Sequence, residues 1–528
     1  MIKIELDAEF KLSKPLPAEA KQDISAMLEE VNKELFKKGS KEDSEATHLR
    51  EWKIVKDVLF LRLKSGGQVR AHDAVLRLRR PLAETIGKKY KCGIKSTTVK
   101  NIKIEIQLGE KPEKEISLPF VENINIVDDK AILILSELKD LELEKNYLTK
   151  IINRFLSKIS AQKVHGKAET EKNVRKSEKR TDKYVFQKDP TQELIDLGWV
   201  REFPGAGIWT LMPPFTALLK AIQQLLIDEV LKPMGFDEVV LPRLIPLEIQ
   251  RKKGQLGGIP EELFWVCPPA KRDPEYFEDY KDYVEITGEC APERLMEKLR
   301  PPMFGLAYAQ CEAFYDFFNK EIIDASKLPF KFYDINGPTW RWEAGGLKGL
   351  ERLNEFIRIE VVYAGLKEQT IKIRDEVLER SEKILDKIFD VEYRIDSCTP
   401  VYLEHAGATE EKGEEKEADF VKTYDMTAII PFVTASKEET ELEISSFHVH
   451  TDFYMKRFHA KEKNKKEVWT GCVGFGPSRW AYLFLLRHGL DYSKWPKEIK
   501  KYIGDKLPGV PEMVTWPKKK EGDEGNKK

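Results

Sequence analysis

The sequence predicts an α+β protein with separate folded domains. Three observations support this fold class: residues 1–165 alternate between strand-like and helix-like patterns, residues 163–183 contain almost no apolar side chains, and residues 338–363 show two strand patterns around a glycine-rich loop. The chain has 528 residues, of which 41% are hydrophobic. This length allows roughly two to four domains, each with a core of its own.

The composition narrows the class of protein. No apolar run reaches the roughly 20 residues that a membrane-spanning helix needs, and the first seven residues alternate like a strand and lack the apolar core of a signal peptide. We therefore expect a cytoplasmic protein without a membrane partner. The six cysteines are scattered and include no Cys-x-x-Cys pair, which favours buried thiols or metal ligands over a disulfide framework.

The first domain, 1–165, is predicted to bind a polyanion. Its strands are predicted at 2–12, 52–64, 98–108 and 130–136, and its helices at 17–37 and 140–160. Residues 51–100 contain thirteen Lys or Arg against four acidic residues, an excess of nine positive charges. Such an excess is typical of a surface that binds nucleic acid, although in a charge-rich chain it can also be an ordinary solvated surface.

The remaining segments are assigned from their composition. We predict a charged linker at 166–185, which cannot build a core, and a second domain at 186–517. Residues 267–300 are polar and interrupted by prolines, which predicts a small helical insertion, and residues 404–419 have no periodicity, which predicts a mobile loop. The charged tail at 518–528 is predicted to be disordered.

The glycine-rich loop of the second domain separates two strands whose charged residues share one face. On the second strand Phe356, Arg358 and Glu360 alternate with apolar residues, and on the first strand Arg341 and Glu343 alternate with two tryptophans. Guanidinium groups bind phosphate oxygens with two parallel hydrogen bonds, and an aromatic ring can stack on a base. This face therefore predicts a nucleoside triphosphate site. The alternative is an edge hairpin whose charges face water.

A second phosphate-binding element is predicted at 469–490. A glycine-rich strand leads into an apolar helix that Pro477 can begin, so that Arg479 lies in the first helical turn. Backbone N–H groups and the guanidinium both favour an anion at this position.

These patterns resemble the three signature motifs of class II aminoacyl-tRNA synthetases. A helix at 213–232, a glycine turn and a strand ending at Pro242 resemble the first motif, which forms the dimer interface in that family. The spacing Arg-x-Glu, loop, Arg-x-x-x-Phe-x-x-x-Glu over 341–360 resembles the second motif, and Gly-x-Gly-x-x-Arg ending at Arg479 resembles the third. The resemblance implies a homodimer whose catalytic domain is built on an antiparallel sheet and activates an amino acid with ATP.

The same resemblance implies roles in catalysis and in ATP binding. Arg341 would bind the α-phosphate, Glu343 would lie on the adenine side, Arg352 and Arg479 would bind the distal phosphates, and Phe356 would stack on the base. The other ATP-binding residues that it implies are Trp342, Leu353, Glu443 and Ser446.

The stretch Glu-Ile-Ser-Ser that ends at Ser446 is similar to seryl-tRNA synthetases, in which the glutamate and the last serine hold the magnesium of ATP. Carboxylate and hydroxyl oxygens suit this hard cation. Glu443 and Ser446 differ in strand parity, so both can face one ion only if the strand bends or bulges between them. The residues implied to bind serine are Ala309, Arg341, Arg358, Glu360 and Ser446.

Three further residues are expected around the serine pocket: Cys311, Glu360 and Cys472. Two thiolates, one carboxylate and an open fourth position suit a zinc ion that can accept a ligand from a substrate. This set is similar to that of the rare methanogen-type seryl-tRNA synthetases, in which zinc holds the amino group of serine. The rival ligands are Cys398, His448 and His450. A trio of one Cys and two His would instead suggest threonine chemistry.

The resemblance implies ATP-dependent activation of L-serine and transfer to tRNA(Ser), with tRNA(Sec) as a second acceptor. One zinc per chain and magnesium with ATP would serve as cofactors, and the basic first domain would bind the tRNA. Two other functions stay open. A ligase that loads a carrier protein would share the ATP and zinc motifs, whereas an inactive regulatory paralogue would be expected to lose arginines that are present here, namely Arg341, Arg352 and Arg479.

Overall fold

The computed structural model describes residues 2–40, 43–67, 69–109, 111–164, 172–343, 346–398, 423–432 and 441–517. The chain divides into two compact units, Met1–Lys167 and Ala168–Lys528. The predicted mobile loop at 404–419 and the predicted tail at 518–528 lie outside the described residues. Within those described ranges, no helix is long and apolar enough to cross a membrane.

The first unit is an α+β fold on one antiparallel sheet. Its strands are β1 (Ile2–Leu12), β2 (Thr47–Val55), β3 (Val58–Ser65), β4 (Ile94–Gln107), β5 (Val121–Val127), β6 (Lys130–Leu135) and β7 (Leu138–Lys139). Its helices are α1 (Ala20–Lys33), α2 (Ala71–Tyr90), α3 (Asp140–Glu144) and α4 (Tyr147–Val164). The strand order is β2-β3-β1-β4-β6-β5, and β7 pairs with β4. Alternate residues of β1, including Leu6, Ala8 and Phe10, are buried in the core of this unit.

One strand prediction for this unit was wrong, and one helix was not predicted. The single strand predicted at 52–64 is a hairpin, because Lys56 has a positive φ of 55° and the chain reverses between β2 and β3. Residues 71–90, for which the sequence predicted only a basic surface, form helix α2. Its apolar residues recur every three or four positions and are buried, as Val75, Leu78 and Leu82 show. This segment is therefore an amphipathic helix whose basic residues were counted in the sequence while its apolar periodicity was not.

Acidic residues outside 51–100 neutralise part of its positive charge. The ion pairs between basic residues of 51–100 and acidic residues outside it include Arg62–Asp7, Lys64–Glu5, Arg79–Asp140, Arg79–Glu144, Lys89–Asp23 and Lys100–Glu9. The sequence count of nine excess charges therefore overstates the charge that this unit can offer to a polyanion.

The second unit contains a large sheet, several short strand pairs and the remaining helices. Its strands are β8 (Lys172–Lys176), β9 (Val200–Glu202), β10 (Trp209–Leu211), β11 (Asp237–Glu238), β12 (Leu244–Pro246), β13 (Trp265–Val266), β14 (Phe304–Leu306), β15 (Ile322–Ile323), β16 (Phe330–Asp334), β17 (Pro338–Trp340), β18 (Glu355–Ile357), β19 (Ile359–Gly365), β20 (Tyr393–Cys398), β21 (Thr423–Ile429), β22 (Glu441–Thr451), β23 (Lys461–Glu462) and β24 (Trp469–Phe475). Its helices are α5 (Thr191–Asp196), α6 (Pro213–Leu226), α7 (Leu247–Lys253), α8 (Gln255–Gly258), α9 (Glu278–Thr287), α10 (Pro292–Met296), α11 (Glu312–Asp316), α12 (Lys367–Ile384), α13 (Phe453–Arg457), α14 (Pro477–His488) and α15 (Lys497–Ile503). Helices α9 and α10 fall within the stretch 267–300.

The large sheet has the order β11-β16-β19-β24-β22-β21-β20-β8, and all neighbours are antiparallel except the short pair β11 and β16. Both faces of its central strand β19 are covered. Ile359, Val361 and Tyr363 belong to the core formed with α6, α12 and α14, whereas Val362 and Ala364 belong to a separate cluster with residues of α11 and α13. This second face is the one that Glu360 shares, because side chains two residues apart point the same way.

The predicted linker at 166–185 is not a linker throughout. From Lys172 onward it belongs to the second unit, because β8 pairs with β20 at the edge of the large sheet. Residues 173–176 are exposed. An edge strand is held by backbone hydrogen bonds and commonly carries charged side chains, so it needs no apolar pattern.

Candidate active site

The predicted charged hairpin is divided between two sheets. β17 pairs with β18, with Thr339 opposite Phe356, whereas β19 pairs with β16 and β24 in the large sheet. Arg358 lies at the junction, and Arg341 lies just beyond the end of β17. The prediction of one continuous hairpin face is therefore wrong, because the second strand changes sheets. The side chains nevertheless converge by another route, since Arg341 and Arg358 line the same cavity.

This cavity has a volume of about 470 Å³ and lies against β22, the end of β24 and the start of α14. Its walls include most of the residues predicted to bind ATP: Arg341, Glu343, Arg352, Leu353, Phe356, Glu443, Ser446 and Arg479. Trp342 lies outside this set, and its half-exposed ring packs edge-on against Phe264, with the ring centroids 5.6 Å apart. The sequence motifs therefore do come together, apart from the ring of Trp342.

Arg341 is held by acidic groups on two sides. Its Nη2 donates to Glu262 Oε1 at 3.2 Å, and its Nε lies 2.9 Å from Glu262 Oε2 and 3.1 Å from Glu343 Oε1. Tyr308 donates to Glu262 Oε2 at 2.7 Å, and its ring centroid lies 5.6 Å from the guanidinium. Burial alone would lower the pKa of Arg341, but Tyr308, Glu262 and Glu343 outweigh it and raise that pKa. The guanidinium is therefore permanently charged and oriented before any substrate binds.

Glu262 and Tyr308 were missed by the sequence prediction. Glu262 ends a 3-10 turn at Pro260–Glu262, and Tyr308 follows β14, so both lie far from Arg341 along the chain. The backbone N–H of Trp342 also donates to the carbonyl oxygen of Glu262 at 2.9 Å. No periodicity signals a contact of this kind, because it depends on how the short sheet of β12, β14 and β13 packs.

The other two arginines of the cavity have partners of their own. Arg352 forms an ion pair with Glu343, whose backbone N–H donates to Asn354 at 3.0 Å. Arg479 lies in the first turn of α14 and donates through Nε to the carbonyl oxygen of Glu351 at 3.0 Å and through Nη1 to that of Glu443 at 2.7 Å. Burial and the neighbouring arginines lower the pKa of Arg479, although Glu443 opposes them. A bound polyanion would relieve this crowding of positive charges.

A bulge in β22 places Glu443 and Ser446 side by side. The register with β21 runs from Ser445 opposite Met426 to Glu443 opposite Thr427, so Ile444 is the extra residue. Ser446 Oγ donates to Glu443 Oε1 at 2.9 Å. The strand therefore makes the bend that a shared ion would require.

Cys311, Glu360 and Cys472 form a buried cluster in which the ligand atoms all lie within 4.8 Å of one another. Cys472 lies opposite Val362 in the pairing of β24 with β19, so it is diagonal to Glu360 on the same face. Cys311 immediately precedes α11, which packs on that face. Three separate elements thus bring these groups to one point.

Glu360 brings a fully buried carboxylate to this cluster. Arg358 Nε lies 2.7 Å from Glu360 Oε2, yet neither oxygen of Glu360 has a well-aligned hydrogen bond within the described part of the chain. Burial raises the pKa of Glu360, and only the nearby cations oppose this. A Cβ at position 474 would displace the guanidinium of Arg358, so the glycine there leaves room for this side chain beside Glu360. A buried carboxylate of this kind is costly unless a cation is close.

The pKa values of the two thiols, Cys311 and Cys472, are shifted in opposite directions. Burial would raise the pKa of Cys311, but a hydrogen bond with Cys472 and the ammonium of Lys253, 2.9 Å from Cys311 Sγ, lower it to about 6. The hydrogen bond with Cys311 and burial raise the pKa of Cys472. Lys253 also lies 3.5 Å from Glu312 Oε1, and all of these side chains are buried. Lys253 is a further residue that the sequence prediction missed.

The rival metal ligands have other partners. His448 Nδ1 lies 3.0 Å from Thr423 Oγ1, and Cys398 Sγ donates to Asp425 at 2.8 Å. His450 is nearer, with Nε2 3.7 Å from Cys472 Sγ, while its Nδ1 lies 3.3 Å from Thr470 Oγ1. Ala309 is buried beside the cluster, and its N–H donates to Glu312 Oε1 at 3.2 Å.

Comparisons with known proteins identify the family of this chain. Residues 2–160 match the family described as a tRNA-binding domain, and residues 302–486 match the class II tRNA synthetase core domain of the G, H, P, S and T group. A type-2 serine–tRNA ligase of Methanocaldococcus jannaschii is 36% identical, with 98% of this chain and 99% of that protein covered. One from Methanothermobacter thermautotrophicus is 34% identical, with 98% and 100% covered.

Solved structures give the same result. The crystal structure of M. kandleri SerRS in complex with A. aeolicus tRNASec matches with a TM-score of 0.75 and 31% identity, and 98% of this chain and 99% of that chain are covered. A cytoplasmic serine–tRNA ligase from Naegleria fowleri matches with a TM-score of 0.50 at 17% identity over 71% of this chain and 73% of that one, which shows a shared fold alone. Full-length identity above 30% and the matching core domain lead to one conclusion: this chain belongs to the type-2 serine–tRNA ligase family of class II aminoacyl-tRNA synthetases.

Proposed function

We propose that this protein activates L-serine with ATP to form seryl-adenylate and transfers the seryl group to tRNA(Ser), with tRNA(Sec) as a second acceptor. The observation that carries the proposal is the position of Arg358, which lines the cavity and also lies 2.7 Å from Glu360 of the buried cluster. A phosphate-binding site and a metal-type site therefore share one wall. An amino acid between them would have its carboxylate near the arginines and its amine near the cluster.

We assign one zinc ion per chain to Cys311, Glu360 and Cys472. The donor set supports this assignment, because two thiols and a carboxylate without well-aligned hydrogen bonds are buried together. Zinc, when bound, supplies a Lewis-acidic position that can take the amino group of serine. Arg358 and the backbone at Ala309 orient the rest of the substrate.

We assign the phosphates of ATP to Arg341, Arg352 and Arg479, and the adenine ring to Phe356. Glu343, Trp342 and Leu353 complete the nucleotide site in this proposal. Arg341 binds the α-phosphate by exchanging its contact with Glu343 for phosphate oxygens. Catalysis then consists of positioning the serine carboxylate and neutralising charge at the α-phosphorus, without a covalent enzyme intermediate.

Glu443 and Ser446 are assigned to the magnesium ion that accompanies ATP. The bulge at Ile444 supports this, since it turns both oxygen-bearing side chains toward each other. Oxygen ligands of this kind suit magnesium, which keeps most of its waters and takes few ligands from the protein. Ser446 contributes in addition to the serine pocket.

We propose that the first domain, 1–165, binds the tRNA, that the second domain is the catalytic one and extends from β8, which begins at Lys172, to residue 517, and that the protein is a cytoplasmic homodimer. The match of residues 2–160 to a tRNA-binding domain and the tRNASec complex of the M. kandleri relative support the tRNA part. The same match disfavours a carrier-protein ligase, which would not need this unit. The segment 213–242, which resembles the first class II motif, is proposed as the dimer interface.

Pyrophosphate exchange with each of the twenty amino acids tests the proposal. Serine alone should support rapid exchange, and the purified protein should contain about one zinc per chain. Exchange with threonine in preference to serine, or no exchange with any amino acid, would contradict it.

A further inference from the structure

Glu262 and Tyr308, which both lie outside the three signature motifs, contact the guanidinium of Arg341. Glu262 contacts both Nε and Nη2 of Arg341, and Tyr308 donates to the same carboxylate while its ring lies near the guanidinium. The carbonyl oxygen of Glu262 in turn accepts from the N–H of Trp342. The side chain of Glu262 therefore holds the guanidinium of Arg341, and its carbonyl oxygen holds the backbone of the next residue, Trp342.

We propose that Glu262, anchored by Tyr308, is a positioning residue for adenylate formation, which holds the Arg341 guanidinium in the orientation that the α-phosphate and the serine carboxylate require. This inference rests on the proposed role of Arg341. It adds a residue from the 3-10 turn Pro260–Glu262, which precedes β13, to a site that is otherwise built from the signature motifs.

The two carboxylates beside Arg341 differ in a way that separates their roles. Glu262 Oε2 also accepts from the Tyr308 hydroxyl, so Glu262 keeps a fixed place when Arg341 turns to a phosphate. Glu343 also forms an ion pair with Arg352, so its carboxylate keeps one cationic partner when Arg341 turns away from it. Glu343 is therefore the contact that a phosphate replaces, and Glu262 is the contact that stays.

Because the contact between Glu262 and Arg341 persists when ATP binds, it affects the orientation of the guanidinium more than the affinity for the substrates. A flexible arginine has many rotamers, and the planar fork binds oxygens with two hydrogen bonds only in a narrow range of orientations. Small misplacements of a catalytic group lower rates by up to about 100-fold. Loss of Glu262 should therefore lower the rate of the chemical step, while the KM for ATP and serine changes little.

The test uses the full-length protein and single-turnover formation of seryl-adenylate, with KM measured by pyrophosphate exchange. Glu262→Gln should lower the rate by about 10- to 100-fold and change either KM by less than about threefold. Glu261→Gln is the matched control, since this neighbouring residue is exposed, and it should behave like wild type. Thermal unfolding and zinc content should be equal in the two variants.

Tyr308→Phe provides an independent check that does not change any charge. It should slow the step by about three- to tenfold, less than Glu262→Gln, and the double variant should be no slower than Glu262→Gln alone, because Tyr308 acts through Glu262. Additive effects of the two substitutions would overturn the proposed chain of contacts.

Arg341→Lys, measured in parallel, separates the inference from the proposed function. If Arg341→Lys is slow and Glu262→Gln is as fast as wild type, the positioning role is wrong while the role of Arg341 stands. If Arg341→Lys is itself as fast as wild type, the proposed role of Arg341 is wrong, and the positioning role of Glu262 is wrong with it. A Glu262→Gln variant that raises KM with no change in rate would also overturn the inference.

Discussion

The cavity and the buried cluster use charge in opposite ways, although Arg358 touches both. In the cavity, Arg341 and Arg352 share Glu343 and remain partly exposed. In the cluster, Glu360 is fully buried beside two thiols and has no well-aligned hydrogen bond from a described residue. Exposed ion pairs are weak and exchange partners readily, whereas a buried, poorly compensated carboxylate needs a lasting cation. The cavity is thus suited to substrates that come and go, and the cluster to a resident ion.

The largest expected effect comes from breaking the cluster. Cys472→Ala should reduce bound zinc to near zero and abolish serine-dependent pyrophosphate exchange, because a site with three protein ligands cannot hold zinc tightly with two. Metal analysis of the purified protein and the exchange assay measure both results. Cys398→Ala removes a thiol of the same sheet that lies outside the cluster, and it should keep zinc and activity. Full activity of a metal-free Cys472→Ala protein would contradict the assignment.

The next effect tests the cavity alone. Arg341→Lys keeps the charge but loses the planar fork, so it should lower the adenylation rate by about 10² to 10³, which corresponds to about 3 to 4 kcal/mol of transition-state stabilisation. Serine binding should weaken much less. Single-turnover adenylate formation measures the step without tRNA, and Arg300→Lys, at an exposed arginine of the same unit, is the control. Adenylation at the wild-type rate would show that Arg341 is structural.

The pH dependence of unfolding tests whether Glu360 in the buried cluster depends on a metal ion for compensation of its charge. Burial raises the pKa of Glu360 above its ordinary value of 4.5, so the folded metal-free protein keeps a proton that the unfolded chain releases. Its contribution to stability is therefore present below pH 4.5 and is lost as the pH rises toward the folded-state pKa, by at most about 1.4 kcal/mol for each pH unit. Zinc-free Glu360→Gln should lose less stability than zinc-free wild type between pH 5 and 8 in denaturant unfolding. Equal slopes would mean that Glu360 is compensated without a metal.

The smallest expected effect is at the bulge of β22. Ser446→Ala removes one hydroxyl that donates to Glu443, and it should raise the magnesium concentration needed for half-maximal exchange by about threefold to tenfold, since a single neutral ligand contributes about 1 kcal/mol. Ser493→Ala is the control, because this exposed serine of the same unit also donates to a carboxylate, that of Asp491, but does not line the cavity. An unchanged magnesium dependence in Ser446→Ala would remove this residue from the metal site.

Much of the fold could be predicted, and the failures have a common cause. The strands at 2–12 and 130–136 follow from alternation, and helix α6 follows from its apolar periodicity. The hairpin at 47–65 and the edge strand β8 do not, because a turn at Lys56 and backbone pairing with β20 leave no apolar pattern. Local patterns report burial, and these two features depend on backbone geometry instead.

The sequence alone was enough to select candidates for most, but not all, of the residues that meet in this site. Arg341 and Arg479 could be selected because each lies in a motif of fixed spacing, and spacing is a property of the chain alone, whereas Cys311 and Cys472 were selected through the resemblance to a family. The geometry of the site became visible only in the folded chain, in the change of sheet at Arg358, the bulge at Ile444, and the contacts of Glu262 and Lys253. Contacts between residues tens of positions apart arise when separate elements pack, and packing is governed by the shape and burial of the whole core.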